Sequence, residues 1–294
     1  MELDYAVLCQ EDFWRQAWEQ TRKSSPQMRR RIRGDKEAIE FWNQMAPKYG
    51  QHHTDKRQER IEKIINILEK NGMLTPEADV LDVGCGPGTY ALPFSGRCKS
   101  VTALDGAREM CRILKEKAAE DGLANVTVLQ HMWEDVDLEK EGLLNRFDLV
   151  FASMTPAVCD YDTFMKINLA SRKFCCLISW AGGTVNEARS DLWELLFHEK
   201  DDNRGYHAFF QFNLLLSMGY YPSIDYFNSH WVNEETVEEA IEGLCRSFWL
   251  YTEITPEVKD TIAGYVRERS KNGVFRQETS SRLSIMTWRV DEQF

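Results

Sequence analysis

The chain lacks the features that would place it in a membrane or on nucleic acid. No stretch approaches the roughly 18 consecutive apolar residues of a transmembrane helix. The opening segment, MELDYAVLCQ, has no basic region followed by an apolar one, so it does not resemble a secretory signal. Positive charge is scarce, because 36 Lys and Arg face 47 Asp and Glu, a net charge of −11. Nucleic-acid binders need a positive surface to displace phosphate counterions. We therefore expect a cytoplasmic protein with no membrane association, and the charge balance disfavours a nucleic-acid partner.

Cysteine motifs are also missing, although the 294 residues include eight cysteines. None of them forms a CxxC pair, and no CxxxCxxC iron–sulfur pattern occurs. Cys175 and Cys176 are adjacent in a strand-like segment, where successive side chains point to opposite faces. The cysteines are therefore expected to be reduced thiols, mostly buried, and the spacing of metal-ligating residue types predicts no metal site.

Hydrophobic patterning divides the chain into regions. Residues 1–40 are expected to form an N-terminal helical extension, and residues 41–294 the main domain. From residue 79 onward, short apolar runs alternate with helical segments, which predicts an α/β fold with a mainly parallel, doubly wound sheet and helices on both faces. A helical cap is expected at 232–280, between a probable strand at 220–227 and a final strand at 282–290.

The segment VLDVGCGPGTY, residues 80–90, carries the chemical information. Three glycines in GxGxG spacing directly follow a strand, so the backbone there can turn sharply and approach a ligand. The next strand ends at Asp105, 17 residues beyond Gly88, where an acid can accept both ribose hydroxyls. The loop matches neither the GxGxxG dinucleotide motif nor the GxxxxGK[ST] phosphate loop.

These residues, together with FDLVFASMTPAV (147–158), resemble the class I S-adenosylmethionine (SAM)-dependent methyltransferases. The resemblance is strongest to the small-molecule group with an FW…A..Y segment upstream, here residues 41–49. It covers roughly residues 40–182. It implies a Rossmann-like sheet of seven strands and SAM as cofactor, but says little about the methyl acceptor.

The resemblance also implies cofactor contacts. Asp82 would orient the glycine loop or reach the methionine amino group, and Asp105 would hold the ribose. Gly84, Cys85 and Gly86 would line the methionine end, and Ser153 and Met154 would lie beside the sulfonium. The adenine would be contacted by Gly106, Ala107, Met110, Trp133 and Glu134. Trp42 and Tyr49 would cover the cofactor. The family commonly has Asp where this chain has Met132, so the adenine amino contact would move to Glu134, Asp135 or the backbone.

The acceptor is less defined than the cofactor. Aromatic residues in 184–227 and the cap would form its walls, which suits a planar or cationic small molecule. The same aromatics could instead form core or a homodimer interface. A general base is needed only for a protonated nucleophile, and the candidates are His52, His53, Asp160 and Tyr161.

Two other functions stay open. A methyltransferase for RNA or protein is supported only by the basic run 22–33, which has six basic residues and no acidic one. The segment SMTPAV departs from the [DN]PP[YF] motif of enzymes that methylate nucleic-acid amino groups. The other alternative is a SAM-binding protein without catalytic activity.

Overall fold

The computed structural model describes residues 5–47, 49, 55–202 and 207–293. Helices and strands alternate through the middle of this part of the chain, and helices dominate its beginning. The helices are α1 (Tyr5–Leu8), α2 (Glu11–Ser24), α3 (Pro26–Arg30), α4 (Asp35–Met45), α5 (Asp55–Lys70), α6 (Ala91–Ser95), α7 (Arg108–Glu120), α8 (Tyr161–Ala170), α9 (Glu187–Phe197), α10 (His207–Ser217), α11 (Val237–Phe248) and α12 (Pro256–Arg269). The strands are β1 (Asp79–Val83), β2 (Ser100–Asp105), β3 (Val126–Gln130), β4 (Phe147–Ser153), β5 (Ser171–Trp180), β6 (Val185–Asn186), β7 (Ser223–Thr236) and β8 (Val274–Arg289).

One mixed sheet organises the molecule, with strand order β3-β2-β1-β4-β5-β8 and β7 paired to β8. Strands β1 to β5 are parallel, and β8 is antiparallel to both β5 and β7. The predicted α/β class is therefore confirmed. The described residues form eight strands rather than seven, since the two-residue β6 also pairs with β8.

Apolar side chains cover the sheet on both faces. On one face, α5 contributes Ile61, Ile64, Ile65 and Leu68 at helical spacing, all buried against the strands. On the other face, α8 and α10 pack over the sheet together with Trp18 of α2. Helices on both faces bury both sides of β1 and β4, which explains why these strands are short continuous apolar runs.

The region between β7 and β8 has its own core. Helices α11 and α12 follow β7, and their buried residues form one cluster with α9, which includes Trp193 and Phe248. Thr255 caps α12 by accepting the amide of Val258, with Pro256 in the first turn. Both flanking strands are longer than predicted, because β7 continues to Thr236 and β8 begins at Val274, so they enter the range 232–280 at both ends.

All eight cysteines are free thiols. Five are buried: Cys85, Cys98, Cys111, Cys175 and Cys176. Burial raises the pKa of the Cys98 and Cys111 thiols to about 11, so both stay protonated at neutral pH. Among the helices that the structure describes, none is both long and apolar enough to cross a bilayer.

Candidate active site

A cavity of roughly 1870 Å³ opens at the carboxyl ends of the parallel strands. The strand order reverses between β1 and β4, and ligands of open α/β sheets bind beside such a reversal. Helices α2 to α5, helix α10 and strand β7 supply most of the remaining walls. Its volume exceeds the roughly 300–1,000 Å³ of a typical single-ligand site. The cavity therefore has room for two ligands side by side.

The glycine loop forms the floor of the cavity. Gly84 has φ +68°, and a Cβ there would lie 1.9 Å from the Thr155 hydroxyl oxygen, so no larger residue fits. The Leu104 carbonyl accepts the amides of Gly84 and Cys85 at 2.7 and 3.1 Å, which ties the loop to β2. Gly86 faces the cavity, and a Cβ added to it would have only a Tyr49 ring atom within 4 Å. The helix after the loop, α6, has only five residues.

Asp105 lies at the end of β2, directly across from the glycine loop. Its two carboxylate oxygens accept the amides of Gly86 and Ala107, each at 2.8 Å. Burial raises the pKa of Asp105, while these two amides lower it. A carboxylate has about four acceptor positions, so about two remain for further donors. The adjacent hydroxyls of a ribose match that pair.

Asp82 is the next-to-last residue of β1, beneath the same loop, and is 2% exposed. One carboxylate oxygen, Oδ2, has no hydrogen-bond partner among the described residues, although the side chain lines the cavity. Burial, and secondarily the charge of Asp105, raises the pKa of Asp82 to about 8, against a lowering by the Ala91 amide. A buried, unpaired acceptor is costly. A bound cationic amine would supply the missing donor, so this acid fits the amino group of SAM.

The expected adenine contacts divide into two groups. Gly106, Met110 and Glu134 line the cavity, and a Cβ on Gly106 would come within 2.4 Å of the Met132 sulfur. Ala107 is fully buried, is absent from the cavity wall, and uses its amide on Asp105. Its contribution is therefore to position that carboxylate. Burial is also the main reason that the pKa of Glu134 is raised.

Trp133 reaches the cavity but belongs mainly to the core. Its indole N–H donates to the Thr163 carbonyl at 2.9 Å, so that donor is not available to an adenine edge. Lys166 donates to the carbonyls of Trp133, Glu134 and Val136 at 3.0, 2.7 and 2.9 Å. These bonds fix the short 3₁₀ turn in which both predicted residues lie.

Trp42 and Tyr49 lie over the glycine loop. Their rings meet edge to face with centroids 6.1 Å apart, and Tyr49 is 40% exposed. The Arg57 guanidinium lies 5.9 Å from the centre of the Tyr49 ring and donates to the Thr89 hydroxyl at 2.9 Å. The two aromatics and Arg57 thus form one edge of the cavity above the loop.

Ser153 and Met154 end β4 at the centre of the cavity. Met154 has φ +49°, a strained value for a residue other than glycine, and its amide donates to the Ile178 carbonyl at 2.8 Å. Ser153 hydrogen-bonds the hydroxyl of Tyr90 and lowers the pKa of that phenol, although burial raises it overall. Sequence reasoning did not select Tyr90, Arg57 or Arg60, which also line this region.

Of the proposed bases, the two that the structure describes, Asp160 and Tyr161, do not line the cavity. Asp160 accepts the Thr163 amide at 2.9 Å and so caps α8. Tyr161 donates to the Glu11 carboxylate and is absent from the cavity wall. His52 and His53 lie outside the described residues. No group of three metal-ligating side chains occurs in the part of the chain that the structure covers.

The basic run 22–33 is neutralised by acidic neighbours. Each of its six cations has a carboxylate within 4 Å, and none is left over for phosphate. The pairs are Arg22–Asp160, Lys23–Glu19, Arg29–Glu199, Arg30–Glu199, Arg31–Asp35 and Arg33–Glu253. This run therefore joins the N-terminal helices to the rest of the fold.

The aromatic segment also divides. Trp193 and Phe197 pack in the core beneath the cap, 4.7 Å apart between ring centres, whereas Phe209 and Phe210 line the cavity. Trp180, at the end of β5, joins them there. The predicted acceptor walls are thus partly core and partly cavity surface.

Comparison with known proteins finds similar sequences for part of this chain. Residues 80–168 match the family model described as a methyltransferase domain. An uncharacterized protein of Haemophilus influenzae is 33% identical over 107 residues, covering 36% of this chain and 38% of the relative. A 23S rRNA (uracil(1939)-C(5))-methyltransferase of Photobacterium angustum is 36% identical over 87 residues, covering 29% and 38%. The chain therefore spans well under half the length of these relatives.

A solved structure extends the likeness across the fold. A Bacillus halodurans protein assigned as a methyltransferase superposes with a TM-score of 0.51 and 15% identity, covering 79% of this chain and 99% of its own. The likeness to this structure shows a shared Rossmann-like fold. Residues 80–168 carry a methyltransferase domain, and the cofactor of that domain is S-adenosylmethionine.

Proposed function

We propose that the protein transfers a methyl group from SAM to a small-molecule acceptor by in-line displacement. Bound SAM supplies a methyl group on a sulfonium, which is already a good leaving group. The side chains of this protein then have to orient the two reactants and exclude water. No dedicated base is required if the acceptor atom arrives deprotonated, in keeping with the structural use of Asp160 and Tyr161.

The observation that carries this proposal is one cavity with two differently built halves. The glycine-loop half ends on the buried carboxyl of Asp82 and the half-buried carboxyl of Asp105, which suit an amine and a ribose. The other half, lined by Trp180, Phe209 and Phe210, has aromatic surfaces that suit a planar apolar molecule. A flat acceptor between them would meet the cofactor at Ser153 and Met154.

We assign the cofactor contacts accordingly. Asp82 holds the methionine amino group, Asp105 the ribose hydroxyls, and Gly106 with Met110 one face of the adenine. Arg57, beside Thr89, is placed to bind the methionine carboxylate. Trp42 and Tyr49 cover the glycine loop and exclude water from it.

RNA is the second candidate acceptor, because several partial relatives are named as ribosomal RNA methyltransferases. The net charge of −11 and the paired basic run argue against it. RNA binding releases counterions and weakens steeply with salt, whereas small-molecule binding does not.

The test is to incubate the protein with methyl-labelled SAM and three separated cell extracts: low-molecular-mass compounds, total RNA and total protein. We expect label in the low-molecular-mass extract and none after Asp105→Ala. Label in RNA, lost on raising the salt concentration, would establish the second candidate instead. SAM binding without transfer to any extract would indicate a SAM-binding protein without catalytic activity.

A further inference from the structure

Four arginines line the cavity, and they fall into two pairs. Arg22 and Arg31 already face acids, Asp160 at 3.7 Å and Asp35 at 2.6 Å. Arg57 and Arg60 have no carboxylate within 4 Å in the described ranges. Both lie on α5, one turn apart and therefore on the same face. Two cations without an ion pair among the described residues thus border the same space.

Arg57 and Arg60 have different surroundings. Arg57 lies over the glycine loop, bonded to Thr89 and stacked near Tyr49. Arg60 points toward β7, where its Nη1 donates to the Ser229 hydroxyl at a long 3.4 Å. Its Nε is buried, and no described atom accepts from it. Arg60 is therefore only weakly satisfied by the protein itself.

Arg60 also acts electrostatically on the centre of the cavity. Its charge lowers the pKa of Tyr90, against the larger raising effect of burial. Tyr90 in turn hydrogen-bonds Ser153, at the end of β4. The guanidinium thus lies on the side of the cavity formed by β7, where its charge acts on Tyr90, the hydrogen-bond partner of Ser153.

Arg60 is half-buried, and leaving its buried Nε without an acceptor is costly unless a ligand supplies one. Its planar fork matches a carboxylate or phosphate through two parallel bonds. We propose that Arg60 binds an anionic group of the acceptor, so that the substrate is a small aromatic acid bearing a carboxylate or a phosphate. This inference rests on the proposed function and names the substrate class for the same cavity. The aromatic surfaces of Trp180 and Phe209 would hold the body of that molecule.

The test uses three aromatic probes: benzoate, phenyl phosphate and the uncharged benzamide. Each is titrated into protein saturated with S-adenosylhomocysteine, for the wild type, Arg60→Gln and Arg108→Gln. Arg108 is a matched control, since its side chain is 74% exposed and lies outside the cavity wall. Thermal unfolding verifies that Arg60→Gln is folded. A further variant, Arg60→Lys, retains the positive charge but lacks the planar guanidinium.

We expect at least one acid to bind the wild type about tenfold or more tighter than benzamide, because a hydrogen bond between charged groups is stronger than one to a neutral amide. Arg60→Gln should lose that preference, Arg60→Lys should keep part of it, and Arg108→Gln should keep all of it. Affinity for S-adenosylhomocysteine should stay within about twofold of wild type in all three variants. The acid that binds tells whether the acceptor bears a carboxylate or a phosphate.

Several results would overturn the inference. One is that the acids bind no better than benzamide, or do not bind at all. Another is that Arg60→Gln weakens S-adenosylhomocysteine more than the acids, which would assign Arg60 to the cofactor carboxylate. A wild-type protein that bound no S-adenosylhomocysteine would refute the proposed function itself, and that failure is visible before any probe is added.

Discussion

Replacing Asp82 with Asn tests the buried carboxyl that we assign to the methionine amino group. The pKa of Asp82 is raised from an ordinary 3.8 to about 8, so the carboxyl is largely protonated at pH 6 and pH 7 in the free protein. A bound ammonium favours the charged form and lowers that pKa. Binding of SAM at these pH values should therefore release the proton from Asp82.

The size of the effect follows from that linkage. Below the pKa of Asp82 in the free protein, each unit of rising pH increases the ionised fraction of this carboxyl about tenfold, which is equivalent to about 1.4 kcal/mol. The affinity of the wild type for SAM should thus rise about tenfold from pH 6 to pH 7. Asp82→Asn has no proton to release at this position, so its weaker binding should lack this slope.

The stability of the free protein should change in the opposite direction. Between pH 3.8 and about 8 the folded state holds a proton on Asp82 that the unfolded state has lost. The free energy of unfolding should therefore fall as pH rises through this window, by up to about 1.4 kcal/mol per unit from this one group. The Asn variant should lack that contribution, so the difference between the two proteins isolates it.

Calorimetry at pH 6 and pH 7 in buffers of different ionisation enthalpy measures both the affinity and the number of protons released. The expected result is close to one proton for the wild type and close to none for Asp82→Asn. A wild-type affinity without pH dependence, or the same slope in the variant, would refute the assignment of Asp82.

Two further substitutions test the geometry of the site and its surroundings. Gly84→Ala places a Cβ 1.9 Å from the Thr155 hydroxyl oxygen and should weaken S-adenosylhomocysteine binding about tenfold or more, whereas Gly122→Ala, at a similar φ of +67° with open space around it, should leave binding unchanged. Equal effects of the two would assign the loss to backbone strain alone. Asp160→Ala removes the cap of α8 and should cost about 1 kcal/mol of stability by denaturant unfolding, with methyl transfer intact. Loss of transfer with cofactor binding preserved would make Asp160 a base.

The central strands and the glycine loop were predictable from the sequence because both leave local signals. A short apolar run ending in GxGxG can only be a buried strand followed by a turn. Parallel strands also bring their carboxyl ends to one edge of a sheet, and Asp82 and Asp105 lie near that edge on the neighbouring strands β1 and β2. Asp105 does contact the loop, through Gly86.

Other features were not predictable, for physical reasons. Strand β7 carries polar and charged residues in its second half because it pairs on one side only, with β8, so its apolar pattern fades before the strand ends. The orientation of Trp133 depends on a partner 30 residues away, the Thr163 carbonyl. Arg57 and Arg60 lie in the highly charged segment KRQER, where spacing cannot tell a cavity-facing arginine from a solvated one.

The most direct test of the account is a calorimetric titration of SAM, S-adenosylhomocysteine and NAD into the wild type and Asp105→Ala. We expect the wild type to bind the two adenosyl compounds with dissociation constants on the order of 1 µM and not to bind NAD, and we expect Asp105→Ala to lose about tenfold or more in affinity. A folded wild type that bound neither adenosyl compound, or that bound NAD instead, would contradict the account.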